Sequence, residues 1–113
     1  MRLEIRRHVN YSSRVIEVRQ TVVFRAWHKG LKDLRAAKII AQRIVRLQSG
    51  LLGDVKRFDG IGEVRIDYGP GYRLYFVQRG AVLIILLCGG DEGSQSRDIA
   101  TAKQMAKELQ DGD

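Results

Sequence analysis

The feature that most constrains this chain is a run of three strand-like segments joined by two glycine turns. Glu63-Val-Arg-Ile-Asp-Tyr68 alternates with period two, and so does Tyr72-Arg-Leu-Tyr-Phe-Val77. That is the spacing of strands that bury one face. Between them, Gly69-Pro70-Gly71 predicts a tight turn, because proline fixes its own backbone angle and glycine accepts positive φ. Gly80 marks the next turn. Val82-Leu-Ile-Ile-Leu-Leu87 is apolar throughout, which predicts a central strand covered on both faces. Gly89-Gly90 is expected to break it.

The flanking segments supply the covers. Residues 14–20 alternate apolar and polar, as a half-buried strand does. Thr21 is placed to cap a short helix through Lys29, and Gly30 to end it. Val23, Trp27, Leu31 and Leu34 recur at helical spacing, which makes Trp27 a core anchor. A longer helix is predicted from Asp33 to Ser49, stopped by Gly50. Its apolar stripe reads Ala37, Ile40, Ala41, Ile44, Leu47 and Leu51; its other side carries Lys32, Arg35, Lys38, Gln42, Arg43 and Arg46. A last helix, Gln95 to Gln110, turns Ile99, Ala102, Met105, Ala106 and Leu109 inward. The order predicts an α+β fold, with helices packed on a curved, mainly antiparallel sheet.

Length and charge narrow the function classes. A chain of 113 residues makes one domain with one core and leaves no room for a separate cofactor domain. The longest apolar run, Ala81–Cys88, is far short of the about 20 residues that span a membrane. Residues 1–13 hold Arg2, Glu4, Arg6 and Arg7 but no apolar stretch, so no signal peptide is expected. A single cysteine, Cys88, forms no internal disulfide, and a reducing cytoplasmic location follows as the expectation. The net charge is +7, unevenly spread. Residues 1–79 carry 17 basic and 7 acidic residues, whereas residues 80–113 carry 3 and 6. A basic body invites a polyanion such as nucleic acid; the same charge also serves plain solubility.

One cysteine and two histidines, His8 and His28, offer no metal cluster, and no metal or other cofactor is expected. No phosphate loop of the Walker or dinucleotide type precedes a helix. The hairpin is more informative. Arg65 and Arg73 fall on neighbouring strands and on one face, with Tyr75 and Val77 sharing that face. Two like charges so close need something negative between them. Glu63 and Asp67 would complete an ordinary cross-strand ion network; a phosphate would serve equally, since guanidinium groups grip it with paired hydrogen bonds. Lys56 and Arg57 enter from the preceding segment, and Asp91 and Glu92 leave from the end of the third strand.

At these residues the chain resembles the RelE/ParE toxin superfamily, in particular the HigB-like addiction module killer branch. The resemblance rests on Gly53-Asp-Val-Lys-Arg-Phe-Asp-Gly-Ile-Gly-Glu-Val-Arg-Ile-Asp-Tyr-Gly-Pro-Gly-Tyr-Arg-Leu-Tyr-Phe76. Phe24, Trp27, Leu86-Leu-Cys-Gly-Gly-Asp91, Gln95 and Asp98-Ile-Ala-Thr-Ala102 support it. It runs from about residue 14 to 110 and leaves residues 1–13 as an extension outside it. It implies a toxin whose helical hairpin and C-terminal helix pack on the sheet, encoded beside an antitoxin. Many members cut messenger RNA on the ribosome; others bind DNA gyrase. Carried over, the arginine of Tyr-Arg is Arg73, that of Glu-x-Arg is Arg65, and the lysine before Gly-x-Gly-Glu is Lys56. Close relatives read Gly-Gly-Asp-Lys where this chain has Gly89-Gly90-Asp91-Glu92, so a carboxylate replaces a cation beside the expected phosphate.

The resemblance therefore implies a metal-free endoribonuclease toxin acting on messenger RNA at the ribosome. Its expected catalytic set is Arg73, Arg65, Lys56, Glu92 and Asp91. Arg57, Gln95, Tyr72 and Tyr75 are the expected RNA contacts; stacking on bases and sheet packing are the two roles open to the tyrosines, with packing favoured for Tyr72. Arg35, Lys38, Arg43 and Arg46 are the expected seat of an antitoxin bearing a helix-turn-helix, through which alone operator DNA would be reached. A nonenzymatic gyrase-binding toxin and a nucleic-acid-binding domain without activity are the alternatives.

Overall fold

The computed structural model describes residues 15–112; the extension expected over residues 1–13 lies outside them. Strand β1 (Glu17–Gln20) leads into α1 (Val22–Lys29) and α2 (Leu34–Gln48). Strands β2 (Val55–Phe58), β3 (Ile61–Ile66), β4 (Tyr72–Arg79) and β5 (Leu83–Asp91) follow. A 3₁₀ turn over Glu92–Ser94 opens α3 (Gln95–Gly112). The strands form one five-stranded sheet in the order β1-β5-β4-β3-β2. It is mixed: β1 runs parallel to β5, and the other three pairings are antiparallel. The α+β class and the mainly antiparallel sheet therefore hold.

Local chemistry accounts for the boundaries. Thr21 caps α1 by accepting the Phe24 amide N–H at 3.0 Å, and its own hydroxyl donates to the Leu87 carbonyl at 2.7 Å. One residue thus starts the helix and ties it to β5. Asp33 caps α2 by accepting the amides of Arg35 and Ala36, which holds its carboxyl below the usual carboxylate range. In the β3–β4 turn, Gly69 and Gly71 take φ of 56° and 78°, left-handed values that side-chain-bearing residues adopt only with strain.

Two layers of side chains sandwich the sheet. On one face Phe24, Ala36, Ile40, Ile44 and Leu47 from α1 and α2 pack against Val64, Ile66, Leu74, Phe76, Ile84 and Leu86. On the other, Ala102, Ile99, Met105, Ala106 and Leu109 of α3 cover Ile61, Tyr75, Val77, Leu87 and Cys88. Burying a side chain the size of Phe24 contributes about 1.5–3 kcal/mol.

Several expectations are corrected. The buried stripe of α2 runs through Ala36, and Ala41 and Leu51 are exposed. In α1 the buried residue is Phe24, while Val23 and, at the start of α2, Leu34 face solvent. Trp27 is half-buried as an anchor, against Phe24 and Tyr72. Gly89-Gly90 does not break the strand; β5 continues through both to Asp91. Neither glycine can carry a side chain there. A Cβ on Gly89 would lie 2.3 Å from the Trp27 ring, and one on Gly90 would overlap Asp98. The register also shifts between Tyr75 and Phe76, which pair with Cys88 and Leu86 and leave Leu87 extra. That bulge places Leu87 and Cys88 in succession under α3, while Ile84 and Leu86 face α1 and α2 and Ile85 faces α3, so cover on both faces accounts for the unbroken apolar run.

Candidate functional site

The β3–β4 register sets Arg65 opposite Arg73, and β5 sets Gly90 opposite Arg73. Because paired residues share a face, the two guanidinium groups emerge together, as the spacing predicts. They open into a cleft of about 360 Å³ lined by Asp54, Arg65, Ile66, Asp67, Gly71, Arg73 and Glu92. Asp54, Asp67 and Glu92 are exposed and form a carboxylate rim; Arg73 is only 7% exposed and forms the floor. Gly71 brings the rim and floor together. A Cβ on it would lie 3.3 Å from Glu92 Oε1 and 3.9 Å from Arg73 Nη1.

Beneath the cleft lies a buried polar layer between the sheet and the start of α3. Glu63 is 0% exposed. Its Oε2 accepts from Gln95 Nε2 at 2.9 Å, and its Oε1 lies 3.7 Å from Arg65 Nε. Half of the ion network expected around the arginines is therefore present, through Glu63. Asp67 lines the cleft instead. Ser94 donates to the Asp98 carboxylate, which also lies 3.6 Å from Arg97 Nε. Among the described residues, three buried side-chain polar atoms lack a hydrogen-bond partner: Glu63 Oε1, Arg73 Nε and Tyr75 Oη. Burial pushes the Tyr75 hydroxyl far above its ordinary value, and the neighbouring Glu63 carboxylate adds to the rise. Burial likewise pushes the Cys88 thiol up to about 12.

The remaining candidates separate. Tyr75 is fully buried under α3 and Tyr72 is buried edge-on to Trp27, so neither presents a ring to a base. The alternation that put Tyr75 on a polar face was right about the face; α3 covers it. Gln95 is engaged with Glu63 and braces the layer beneath the cleft. Lys56 pairs in register with Glu63 and shares the arginines' face, but its Nζ lies over the Phe58 ring at 5.3 Å, outside the cleft. Arg57 projects from the opposite face. Its guanidinium lies 5.6 Å from the Phe76 ring centroid and donates to Gln78 at 3.2 Å. Asp91 pairs with Tyr72 and so falls on the face opposite Arg73. Of the expected catalytic set, the cleft holds Arg73, Arg65 and Glu92.

The basic helix side is also divided. Arg35 lies 6.0 Å from the Tyr68 ring centroid, and Arg43 turns inward to donate to the Arg65 carbonyl at 3.3 Å. Lys38 and Arg46 remain exposed. Asp54, which sequence reasoning did not single out, joins the rim because its carbonyl accepts the Arg65 amide at 2.9 Å. Its one sequence signal is its place beside Gly53, just before β2. Among the described residues, no group of three His, Cys, Asp or Glu is placed to hold a metal ion. No helix among them is long and apolar enough to cross a membrane.

No protein-family model matches the chain, and no solved structure matches it. A protein of Haemophilus influenzae (strain ATCC 51907 / DSM 11121 / KW20 / Rd), described only as uncharacterized, is 50% identical over 95 residues. The match covers 83% of this chain and 96% of that relative. Identity at that level across nearly the whole relative makes the two chains members of one family.

Proposed function

We propose that this protein is the toxin of a type II toxin–antitoxin pair, a RelE/ParE-like protein of the HigB-like branch. In this reading it cleaves messenger RNA at the ribosome, in the cytoplasm, without a metal ion. One observation carries it. Arg65 and Arg73 are paired in register and both line one cleft, where Arg73 is held almost wholly buried. Two guanidinium groups fixed side by side at a cleft are suited to a phosphate.

The chemistry follows from what a ribonuclease of this kind must do. The 2′-hydroxyl attacks its own 3′-phosphate, loses a proton and expels the 5′-oxygen, which takes up a proton. Negative charge builds on the phosphorane between these events. Arg73 and Arg65 meet that charge with donors fixed beforehand, which is where electrostatic stabilisation is most effective. Glu92 stands beside Arg73 over Gly71 as an exposed carboxylate able to accept the 2′ proton. Glu63 and Gln95 hold Arg65 from behind. The partner is an antitoxin carrying a helix-turn-helix, through which operator DNA is reached.

A second reading, a nonenzymatic toxin that binds gyrase, is favoured by the rim. Three carboxylates, Asp54, Asp67 and Glu92, stand around two arginines and suit a basic protein surface better than a polyphosphate. Producing the protein in growing cells without a partner separates the two. The nuclease reading expects translation to fall and messenger to be cut before supercoiling changes. Loss of supercoiling with intact messenger overturns it in favour of the second reading.

A further inference from the structure

A second cavity, of about 520 Å³, opens on the arginines' side of the sheet and is larger than the cleft itself, which is about 360 Å³. It lies between the second half of α3 and the turn that joins β2 to β3. Arg79 of β4 and Lys103 and Lys107 of α3 bring three cations to it, and Gln78 and Gln110 bring amides. Lys103 and Lys107 stand four residues apart and so share one face of the helix. Among the described residues, Asp59 is the one carboxylate in its lining, and no aromatic ring lines it. The cavity therefore suits an anion and offers a nucleobase nothing to stack on.

Strand β2 joins this cavity to the cleft. Asp54, just before the strand, lines the cleft, and Asp59, just after it, lines the cavity. Five residues of strand cover about 17 Å. β2 is an edge strand, so its outer side is open. Lys56 and Phe58 pair with Glu63 and Ile61, which puts both on the face that carries Arg65, between the two openings. Lys56 is exposed and Phe58 half-buried, with the Lys56 Nζ 5.3 Å from the ring centroid. Cations for phosphates, interleaved with a ring for a base, are how proteins track a single strand. The same path gives a place to Lys56, which the cleft leaves out.

We infer that the α3 cavity is a second phosphate site, resting on the nuclease reading of the cleft, that holds the backbone of single-stranded RNA some way along the strand from the arginines. A stacked strand rises about 3.4 Å per nucleotide, which separates the two phosphates by about five nucleotides. Lys103 Nζ lies 3.3 Å from Asp59 Oδ2, and the Asp59 side chain is 90% exposed. An ion pair so open to water is weak, so a phosphate displaces Asp59 readily. With no ring and no apolar slot for a base, the site reads charge and not sequence.

The test measures binding, so it does not depend on cleavage. The full chain is titrated into fluorescein-labelled 2′-O-methyl oligonucleotides, which lack the attacking hydroxyl, in a short form of about three nucleotides and a long form of about twelve. The Lys103→Gln, Lys107→Gln double variant should raise the Kd of the long form about tenfold and leave that of the short form unchanged. Its salt slope for the long form should be shallower by about 1.4, for two lost phosphate contacts. Asp59→Asn should tighten the long form, and Arg73→Ala should weaken both. The lysines lie at the surface, so the double variant's melting temperature should match the parent's. Equal binding of the long form by parent and double variant, with Arg73→Ala still weaker, overturns the second site and leaves the nuclease reading standing. A parent that binds neither oligonucleotide overturns both. Oligoglutamate that displaces the long form as well as unlabelled RNA does assigns the cavity to an acidic protein segment and overturns the inference. Lysine-dependent binding of tripolyphosphate, with the long form unaffected by the double substitution, assigns it to a free phosphate compound and also overturns it.

Discussion

Arg73 sits where a charged side chain is hardest to keep. It is almost wholly buried, its Nε has no hydrogen-bond partner, and its charge reaches the buried Tyr75 hydroxyl. A fold bears an unpartnered buried donor only at a cost, so Arg73 is held there against the stability of the fold. Tyr75 makes the complementary test. Its hydroxyl is buried, facing the Glu63 carboxylate, without a well-formed hydrogen bond. Tyr75→Phe should therefore change stability by no more than about 1 kcal/mol, read as a melting temperature close to the parent's. A marked loss would mean that a full hydrogen bond to Glu63 forms in solution. Cys88 and Tyr75 also set an alkaline limit. Both are held neutral in the fold, Cys88 up to about 12 from an ordinary 9.0 and Tyr75 well above 10.0. The unfolded chain releases these protons first. Stability should be fully present below about pH 9 and fall as pH rises beyond it. Urea midpoints measured from neutral to strongly alkaline pH check this, and Cys88→Ala should flatten the first part of the decline.

Elements lie where local chemistry is strong. Thr21 and Asp33 start the two first helices as their types require, Gly50 follows α2 at a left-handed φ of 80° whereas Gly30 ends α1 in an ordinary right-handed conformation, and the Gly-Pro-Gly turn fixes the β3–β4 hairpin. The pairing of Arg65 with Arg73 follows from that turn and from the alternation, so the heart of the site is legible in the residues. Three things are not. Alternation cannot tell a polar face from one that another helix covers, so Tyr75 reads as open when α3 lies over it. It cannot see the bulge at Leu87 either, because a fully apolar run has no phase to lose. Nor does adjacency reveal that Lys56 and Arg57 part to opposite faces, one over Phe58 and the other over Phe76. Arg57 reaches Phe76 across Gly62, where a Cβ would lie 2.3 Å from the ring. Gly62→Ala should therefore push Phe76 out of its seat and cost about 1–3 kcal/mol, read as a lower urea midpoint. No change would mean that the β2–β3 edge yields more easily than its burial implies.

Over the whole molecule, charge and chemistry occupy different sides of one sheet. The cationic helices α1 and α2 cover one face, and the arginine cleft opens on the other, beside the start of α3. The proposed cleavage depends above all on Arg73. Wild-type and Arg73→Ala protein would be added to a translating extract, with messenger cleavage mapped by primer extension and rates divided by the folded fraction of each preparation. That normalisation matters because Arg73 is buried and its loss also affects stability. The expected result is cleavage by the wild type and a loss of about a hundredfold in Arg73→Ala, close to 3 kcal/mol of transition-state stabilisation. Intact messenger with the wild type, or an unchanged rate per folded molecule in Arg73→Ala, would contradict it.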